Sequence, residues 1–427
     1  MIEIRKLASL SEDARRAMME RQKSEFKDVE SSVKKIIDDV RMRGATAVSE
    51  YVKKFDKADL ASFRVTEDEI ARAFKNAPQK LVDALTEAAE NITRFQERQM
   101  PTEFKMRTKS GKLGQKIEPL ARIGVYAPGG TATYPSSVLM GCIPANVAKV
   151  PEVVLCTPPK ADGSVNDMML VAADLAGATE IYKIGGVQAI AAMAYGIKGM
   201  PPVEKIVGPG NKYVTVAKQM VEKDCDIEFL AGPSEILIIA DNEADPEMLA
   251  WDMLAQLEHD PDSKAVLVSL SEEVASDVAK KIDEMAKSLP RSAILEQSTK
   301  KGGAVLTTDS LEDAINFAND YAPEHLLLAI RDAEDEMVNI CNAGSIFLGS
   351  CSSVAFGDYC AGPNHVLPTM GLALTRGALS PLDFVKIIPY QRTSRSGAQK
   401  LAKVAAEIAR AEGLEAHARA AESRLRK

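Results

Sequence analysis

The sequence has few histidines and cysteines and no long apolar run. Its 427 residues include four histidines and six cysteines, and no two cysteines form a C-x-x-C pair. Scattered cysteines are typical of reduced thiols, so we expect a cytoplasmic protein. The longest apolar runs, such as residues 235–240, are too short to cross a bilayer, and the charged start has no apolar signal core. We therefore expect no membrane association.

The sequence also lacks a basic excess. Its 53 Lys and Arg residues against 61 Asp and Glu residues give a formal net charge of −8. Proteins that bind nucleic acids usually carry a basic balance or basic clusters, so we expect no nucleic-acid partner. With 46% hydrophobic and 27% charged residues, the composition is that of a globular protein, and the length suits two or three domains.

What the sequence does contain is an alternation of short apolar segments, glycine turns and helical segments. Residues up to about 100 have helical periodicity, and Thr66 with Glu69 forms a capping-box pattern. From residue 121 onward, strand-like segments such as RIGVY, EVVLC and EILIIA alternate with helical ones. This alternation is typical of βαβ units and parallel sheets. After residue 380 the pattern becomes helical again.

The pattern predicts an α/β fold with two Rossmann-like parallel-sheet domains. We expect an N-terminal arm at 1–22, a first domain formed by 23–125 and 235–377, a second domain at 126–234, and a helical tail at 378–427. The turns PGG, IGG and GPGN would let the backbone approach a ligand, but none has the GxGxxG fingerprint of dinucleotide-binding folds.

Several unusual residues follow the predicted strands. Ligands of doubly wound sheets bind at the carboxyl ends of the strands. Tyr126, Asn211 and Ser234 fall at those ends or just after them. We therefore expect a crevice at this edge, although each turn taken alone fits an ordinary connection between strand and helix.

Each of the four histidines has an acid or amide side chain within seven residues. They are His259, His325, His365 and His417. On a helix Gln256 and His259 would share a face, whereas Glu258 would point about 100° away from His259. Asp358 follows a predicted strand in a glycine-rich loop, which suits a carboxylate ligand. One Gln, one Asp and two His would form a mixed nitrogen and oxygen set suited to zinc or a similar divalent metal.

Glu324 and His325 are adjacent in the segment PEHL at the start of a predicted strand. Neighbours on a strand point to opposite faces, but at the first position after a proline both can reach a crevice. One interpretation is an acid/base pair whose histidine titrates near neutrality. The other is a surface glutamate beside a capped histidine, and the residues alone leave both open.

A set of segments resembles the histidinol dehydrogenase family. They include RIGVYAPGG, IGGVQAIAAMAYG, VGPGNKYVTVAK, LAGPSEILIIAD, AQLEHDP, YAPEHL, GSIFLG, GDYCAGPNHVLPT and EGLEAH. The resemblance covers essentially the whole chain in order. That family depends on zinc and NAD and carries out the last two oxidations of histidine biosynthesis. The resemblance therefore implies oxidation of L-histidinol to L-histidine through histidinal, with two NAD.

The resemblance also implies roles for individual residues. Those that would bind zinc are Gln256, His259, Asp358 and His417. The acid/base pair would be Glu324 and His325. The residues at the NAD site, in the second domain, would be Tyr126, Gln188 and Asn211. The substrate would contact the zinc ligands and the acid/base pair, and in addition Ser234, His365 and Glu412.

The family's C-terminal tail reaches into the partner subunit. The resemblance thus implies a homodimer in which Glu412 and His417 complete the neighbouring active site. Cys360 stands where the family motif usually has a small residue such as alanine. We expect the Cys360 thiol to point away from the metal.

Three alternatives remain open at this point. A paralogue with the same fold and zinc site could oxidise another small polar alcohol, such as a sulfonated diol. A zinc hydrolase could use Glu324 to activate water without NAD, and a binding protein would carry out no chemistry. Ser234, Glu412 and the segment AGPNHVLP favour histidinol because they match the histidine-pathway enzymes.

Overall fold

Two parallel β-sheets form the framework of the protein, and a third sheet is antiparallel. The structure is a computed structural model that describes residues 2–19, 27–129, 133–230 and 232–425. Within these residues the strands are, in chain order, β1 (Ile4–Lys6), β2 (Phe104–Thr108), β3 (Gly111–Pro119), β4 (Arg122–Tyr126), β5 (Glu152–Thr157), β6 (Glu180–Lys183), β7 (Lys205–Val207), β8 (Asp226–Ile227), β9 (Glu235–Ala240), β10 (Lys264–Ser269), β11 (Gly303–Thr307), β12 (His325–Ala329), β13 (Ser345–Leu348) and β14 (Val385–Thr393).

Helices cover both faces of the parallel sheets. In chain order they are α1 (Glu12–Met19), α2 (Lys27–Arg43), α3 (Ala45–Tyr51), α4 (Glu67–Asn76), α5 (Gln79–Gln99), α6 (Pro135–Val147), α7 (Asp167–Leu175), α8 (Gly186–Tyr195), α9 (Lys212–Val221), α10 (Pro246–Leu257), α11 (Glu272–Met285), α12 (Ser292–Gly302), α13 (Leu311–Tyr321), α14 (Ala333–Glu336), α15 (Val354–Tyr359), α16 (Arg395–Ala411) and α17 (Glu415–Glu422). None of the described helices is long and apolar enough to cross a membrane.

The six-stranded sheet has the order β1-β11-β10-β9-β12-β13, and all its strand pairs are parallel. Its central strand β9 is buried along its whole length because α10, α11 and α12 pack on one face and α13 on the other. Burial on both faces explains why the segment is a continuous apolar run instead of an alternating one.

The five-stranded sheet has the order β6-β5-β4-β7-β8 and is also parallel. The predicted α/β class with two parallel sheets is therefore confirmed. The expected capping box is present as well: Glu69 N–H donates to the Thr66 hydroxyl, and Thr66 N–H donates to the Glu69 carboxylate.

The division of the chain between the two sheets differs from the expected one. Strand β1, in the expected N-terminal arm, pairs with β11 of the six-stranded sheet. Helices α2 to α5 and strand β4, expected in the first domain, belong with the five-stranded sheet. An amphipathic helix shows in its sequence that it buries one face, but not which sheet covers that face. Residues 1, 20–26, 130–132, 231 and 426–427 of the expected segments lie outside the described residues.

The expected helical tail at 378–427 is wrong in its first part. Residues 385–393 form strand β14, which pairs with β3 in the antiparallel sheet, and β2 pairs with the other side of β3. Strand β14 is an edge strand, so it tolerates Pro389, which lacks a backbone donor. Its side chains are mostly exposed, and the periodicity of a buried face is therefore absent.

Asp56 ends a turn of π-helix at Val52–Asp56, and its carboxyl is partly buried. Its Oδ2 atom has no hydrogen-bond partner among the described residues, and burial raises the pKa of Asp56 to about 6. An acid whose pKa is higher in the folded than in the unfolded chain binds its proton more tightly when folded. Ionised Asp56 therefore destabilises the fold above pH 6.

We predict that Asp56→Asn makes the unfolding free energy less dependent on pH. At pH 8 the variant should be more stable than the parent by ~1–3 kcal/mol, with little difference at pH 4. Urea unfolding between pH 4 and 8 measures this difference. Asp59→Asn, at a side chain that is 76% exposed, is the matched control. Parallel pH profiles for the parent and Asp56→Asn would contradict the prediction.

Candidate active site

A cavity of about 410 Å³ lies where the two parallel sheets meet. The five-stranded sheet contributes residues that follow its strands, such as Tyr126 at the end of β4 and the turn after β7. The six-stranded sheet contributes residues at the starts of its strands: Ser234 precedes β9, and Glu324 precedes β12. The expectation that ligands lie at the carboxyl ends of strands thus fits the five-stranded sheet. The six-stranded sheet instead presents the amino ends of its strands to the cavity.

Glu324 and His325 are held by the backbone of one residue, Glu235. The N–H of Glu235 donates to Glu324 Oε2 at 2.8 Å, and His325 Nδ1 lies 3.0 Å from the carbonyl oxygen of Glu235. A carbonyl only accepts hydrogen bonds, so Nδ1 carries the hydrogen and donates it. His325 Nε2 is then directed toward Asp358, whose Oδ1 is 3.4 Å away. Both members of the pair are buried yet line the cavity.

The charges in this cluster shift the titration of its members. Burial of His325 favours the neutral ring, but Glu324 and Asp358 outweigh it and hold the pKa of the imidazole well above its usual value. Burial favours the neutral Asp358 carboxyl, but His325 and the neighbouring histidines lower the pKa of Asp358 below its usual value. His325 therefore binds its proton more tightly than a free imidazole does, and the Asp358 carboxylate beside it stays ionised.

Asp358 and His365 form a second pair on the cavity wall. Asp358 lies within helix α15, so the expectation of a glycine-rich loop is wrong at this position. His365 Nδ1 lies 2.8 Å from the Asp358 carbonyl oxygen and donates to it, which leaves Nε2 for a ligand. Burial lowers the pKa of His365 despite the nearby Asp358, so its ring is neutral near pH 7.

Gln256 and His259 lie at the end of α10, and both line the cavity, whereas Glu258 does not. The helix ends at Leu257, so His259 lies just beyond it and its N–H bonds back to the Gln256 carbonyl at 3.2 Å. Gln256 is 1% exposed, and its Oε1 has no hydrogen-bond partner among the described residues. A buried acceptor without a partner is costly unless a ligand satisfies it.

Nine of the residues predicted from the sequence line this one cavity. They are Tyr126, Asn211, Ser234, Gln256, His259, Glu324, His325, Asp358 and His365. Gln188 is not part of the cavity wall and is buried in the first turn of α8. Glu412 and His417 are exposed at the end of α16 and on α17, away from this cavity. Cys360 packs against the hydrophobic core and is not part of the wall.

Two acidic residues of this region are not among those predicted from the sequence. Glu228 follows β8 and lines the cavity, although nothing around it in the sequence distinguishes it from a surface glutamate. Asp252 lies one helical turn before Gln256, and that spacing could have indicated it. Its Oδ1 accepts a hydrogen bond from the Ser353 hydroxyl at 2.6 Å, and its carboxyl also accepts from Val354 N–H.

The fold and the cavity define an α/β enzyme whose buried glutamate and histidine lie between two parallel sheets. A family model for histidinol dehydrogenase matches residues 19–425. Histidinol dehydrogenase from Methanosarcina mazei is 47% identical over 97% of this chain and 96% of its own length. The enzyme of that name from Bacillus licheniformis is 46% identical over 92% of this chain and 93% of its own length.

A solved structure agrees with these sequence matches. The crystal structure of histidinol dehydrogenase from Elizabethkingia anophelis is similar with a TM-score of 0.94 and 38% identity, and the match covers 99% of this chain and 97% of that chain. The chain therefore belongs to the histidinol dehydrogenase family, a family of oxidoreductases.

The Asp252 contacts connect the two helices that carry Gln256 and Asp358, because Ser353 and Val354 begin α15. We predict that Asp252→Ala lowers the unfolding free energy by ~1–3 kcal/mol and also lowers the turnover number, since α15 loses its attachment to α10. Denaturant unfolding and steady-state kinetics measure the two effects.

The matched control is Asp245→Ala, because Asp245 caps the opposite end of α10 by accepting from Glu247 N–H and Met248 N–H. It should cost about 1 kcal/mol of stability and leave turnover unchanged. Equal turnover in the folded Asp252 and Asp245 variants would show that Asp252 serves stability alone.

Proposed function

We propose that the protein oxidises L-histidinol to L-histidine through histidinal, with two NAD⁺ as oxidant and one zinc ion per subunit. The observation that carries this proposal is the pair Glu324 and His325, held by the Glu235 backbone in the cavity that Gln256, His259 and Asp358 also line. The oxidation of an alcohol and then of a hydrated aldehyde requires a proton acceptor and a carboxylate, here beside a set of nitrogen and oxygen donors.

The residues of one chain fit zinc in part. Gln256 Oε1 is a buried acceptor without a partner, and Asp358 supplies a carboxylate beside the histidines of the wall. No group of three His, Cys, Asp or Glu side chains that could hold a metal occurs among the described residues. The proposed set is of another composition, because Gln256 is an amide and His417 lies on α17. We propose Gln256, His259 and Asp358 from one chain and His417 from the partner as ligands.

Zinc, when bound, would orient the substrate through the amino and imidazole nitrogens of histidinol. In its neutral form His325 is the proposed base, because its Nδ1–H is engaged by the Glu235 carbonyl and its Nε2 is then free to accept the carbinol proton. Glu324 is the proposed activator of the water that hydrates histidinal. After releasing the first proton to solvent, His325 would accept the proton of the hydrated aldehyde while its hydride passes to the second NAD⁺. Ser234 and His365, with Glu412 from the partner, are the further substrate contacts we propose.

The wall contributed by the five-stranded sheet is the proposed NAD site. Asn211 caps α9: its Oδ1 accepts from Tyr213 N–H and Val214 N–H, which leaves its amide NH₂ available for a ligand. The Tyr126 hydroxyl accepts from Gly186 N–H at 3.1 Å, and burial raises the pKa of Tyr126 to about 12, so it remains a donor. Gln188 lies beside the same Gly186 turn.

The proposed partner is a second copy of the chain, reached through the C-terminal helices. Helices α16 and α17 pack mainly on each other, around a cluster of three buried alanines. Exposed apolar side chains cover their outer surface: Leu401, Val404, Ile408 and Leu414. An apolar surface of this kind indicates a binding partner. The same helices carry His417, and Glu412 lies between them, which supports a dimer in which these two residues complete the neighbouring site.

The cytoplasm remains the proposed location. All six cysteines are free thiols, and three of them are buried where disulfide formation would disrupt the core.

The test of the proposed function is NADH production from L-histidinol by the purified protein. We expect two NADH, measured by their absorbance, for each histidinol consumed. Chelation should abolish NADH production, and added Zn²⁺ should restore it. A sulfonated diol is offered in parallel as sole substrate. Turnover of the diol without turnover of histidinol would replace the proposal with the paralogue, and failure to bind NAD⁺ would favour a hydrolase.

Glu324→Gln tests whether Glu324 and His325 act in different steps of the reaction. The variant should oxidise histidinol to histidinal at nearly the parent rate and should slow the aldehyde step by roughly 100-fold or more, as expected for loss of a general base. Stopped-flow kinetics with each substrate separate the two steps. Glu258→Gln, next to the same helix end but outside the cavity wall, is the matched control. Equal losses in both steps would contradict the assignment.

Subunit mixing tests the exchange of the C-terminal tail. A His417→Ala chain combined with a Glu324→Gln chain should give heterodimers with one unaltered site of two, because the intact tail meets the intact Glu324. Histidine production by tagged, purified heterodimers measures the recovery. If verified heterodimers stay as inactive as the two parent variants, His417 acts within its own chain.

A further inference from the structure

Glu228 and Lys218 form a buried ion pair at the wall of the cavity. Lys218 Nζ lies 2.5 Å from Glu228 Oε1, and each residue is only 3% exposed. Buried charges are costly unless they are paired and hydrogen-bonded, and a structural pair can stay wholly inside the core. This pair instead lies at the carboxyl edge of the five-stranded sheet, where Glu228 faces the cavity.

The pair holds both polar groups of one glycine. Gly208 N–H donates to Glu228 Oε1 at 2.9 Å, and Lys218 Nζ donates to the Gly208 carbonyl at 3.1 Å. Gly208 has φ +118° and passes so close to the Tyr126 carbonyl that any side chain would collide with it. Glu228 and Lys218 therefore position the turn that leads to Asn211, the proposed NAD contact.

These bonds use only one of the two carboxylate oxygens. Glu228 Oε2 is buried and has no hydrogen-bond partner among the described residues. A buried carboxylate oxygen without a donor is unfavourable, so a donor from a ligand in the cavity would stabilise it. Nothing in the proposed mechanism uses this atom.

The cavity limits what that donor can be. For hydride transfer, the nicotinamide must enter the same cavity as the carbinol, next to Glu324 and His325, so the part of the dinucleotide within it is the nicotinamide riboside. A carboxylate repels the pyrophosphate but accepts well from a sugar hydroxyl, a pairing common in dinucleotide sites.

We propose that Glu228 is a cofactor-binding residue whose Oε2 accepts a hydrogen bond from a hydroxyl of the nicotinamide ribose. Its Oε1, together with Lys218, holds the turn at Gly208 beside the same ribose. The inference rests on NAD as the oxidant, which is part of the proposed function.

The first experiment leaves the protein unchanged and alters the cofactor. Isothermal titration compares NAD⁺ with an analogue that lacks the nicotinamide ribose hydroxyls and with one that lacks the adenosine 2′-hydroxyl. We expect binding about tenfold or more weaker for the first analogue and nearly unchanged for the second, as loss of a bond to a charged acceptor predicts. Equal affinities for NAD⁺ and the first analogue would overturn the proposal.

The second experiment uses Glu228→Gln, which keeps an Oε1 acceptor for Gly208 N–H and replaces Oε2 by an NH₂ group. NAD⁺ should bind about tenfold more weakly, and ADP, which lacks the nicotinamide riboside, should bind as before. Equal weakening of NAD⁺ and ADP would mean that Glu228 only positions the turn, and the proposal would be wrong.

Glu69→Gln is the matched control because Glu69 pairs with Lys183 at the same 2.5 Å in the same half of the molecule, outside the cavity. Its NAD⁺ affinity should equal that of the parent, and a loss as large as that of Glu228→Gln would overturn the proposal. If the unaltered protein bound no NAD⁺ at all, the proposed function itself would fail. Normal NAD⁺ binding with no effect of Glu228→Gln would reject the Glu228 assignment alone.

Discussion

The site depends on the backbone of Glu235, because its two polar groups each hold one member of the proposed acid/base pair. The N–H donates to Glu324 Oε2, and the carbonyl accepts from His325 Nδ1. Both contacts follow from the register of two adjacent parallel strands, in which His325 lies opposite Ile236. A shift of one residue would turn these side chains to the other face of the sheet. The same register therefore sets both the core packing and the positions of Glu324 and His325.

The cavity exists because the chain joins opposite edges of two sheets. Strand β8 ends at the carboxyl edge of the five-stranded sheet, and the described residues 228–230 and 232–234 come between it and the amino edge of β9 in chain order. Glu228, Gly232 and Ser234 from this connection line the cavity. The carboxyl edge offers glycine turns and the start of α9, whereas the amino edge offers Glu324 and the end of α10. The proposed NAD contacts and the proposed proton-transfer groups thus come from different sheets and meet at one connection.

Local patterns in the sequence predict the elements well but not their partners. The run at 235–240 indicates a fully buried strand, and the Thr66 side chain caps the start of a helix. The helices of residues 27–99 have apolar faces that fit either sheet, and only packing in three dimensions selects the five-stranded one. The site divides in the same way. Residues in distinctive segments, such as His365, can be recognised from the sequence. Glu228 cannot, because its buried pairing with Lys218 is seen only in the structure.

The C-terminal helices leave much of their apolar surface uncovered within one chain. Their shared interior consists of three alanines, Ala406, Ala409 and Ala418, which bury little apolar surface. Side chains such as Val404 and Ile408 remain more than half exposed. Packing against another surface would remove them from water and stabilise the pair of helices. If that surface belongs to a second copy and brings His417 to its cavity, metal binding and dimer formation are thermodynamically linked, so each strengthens the other by the same free energy.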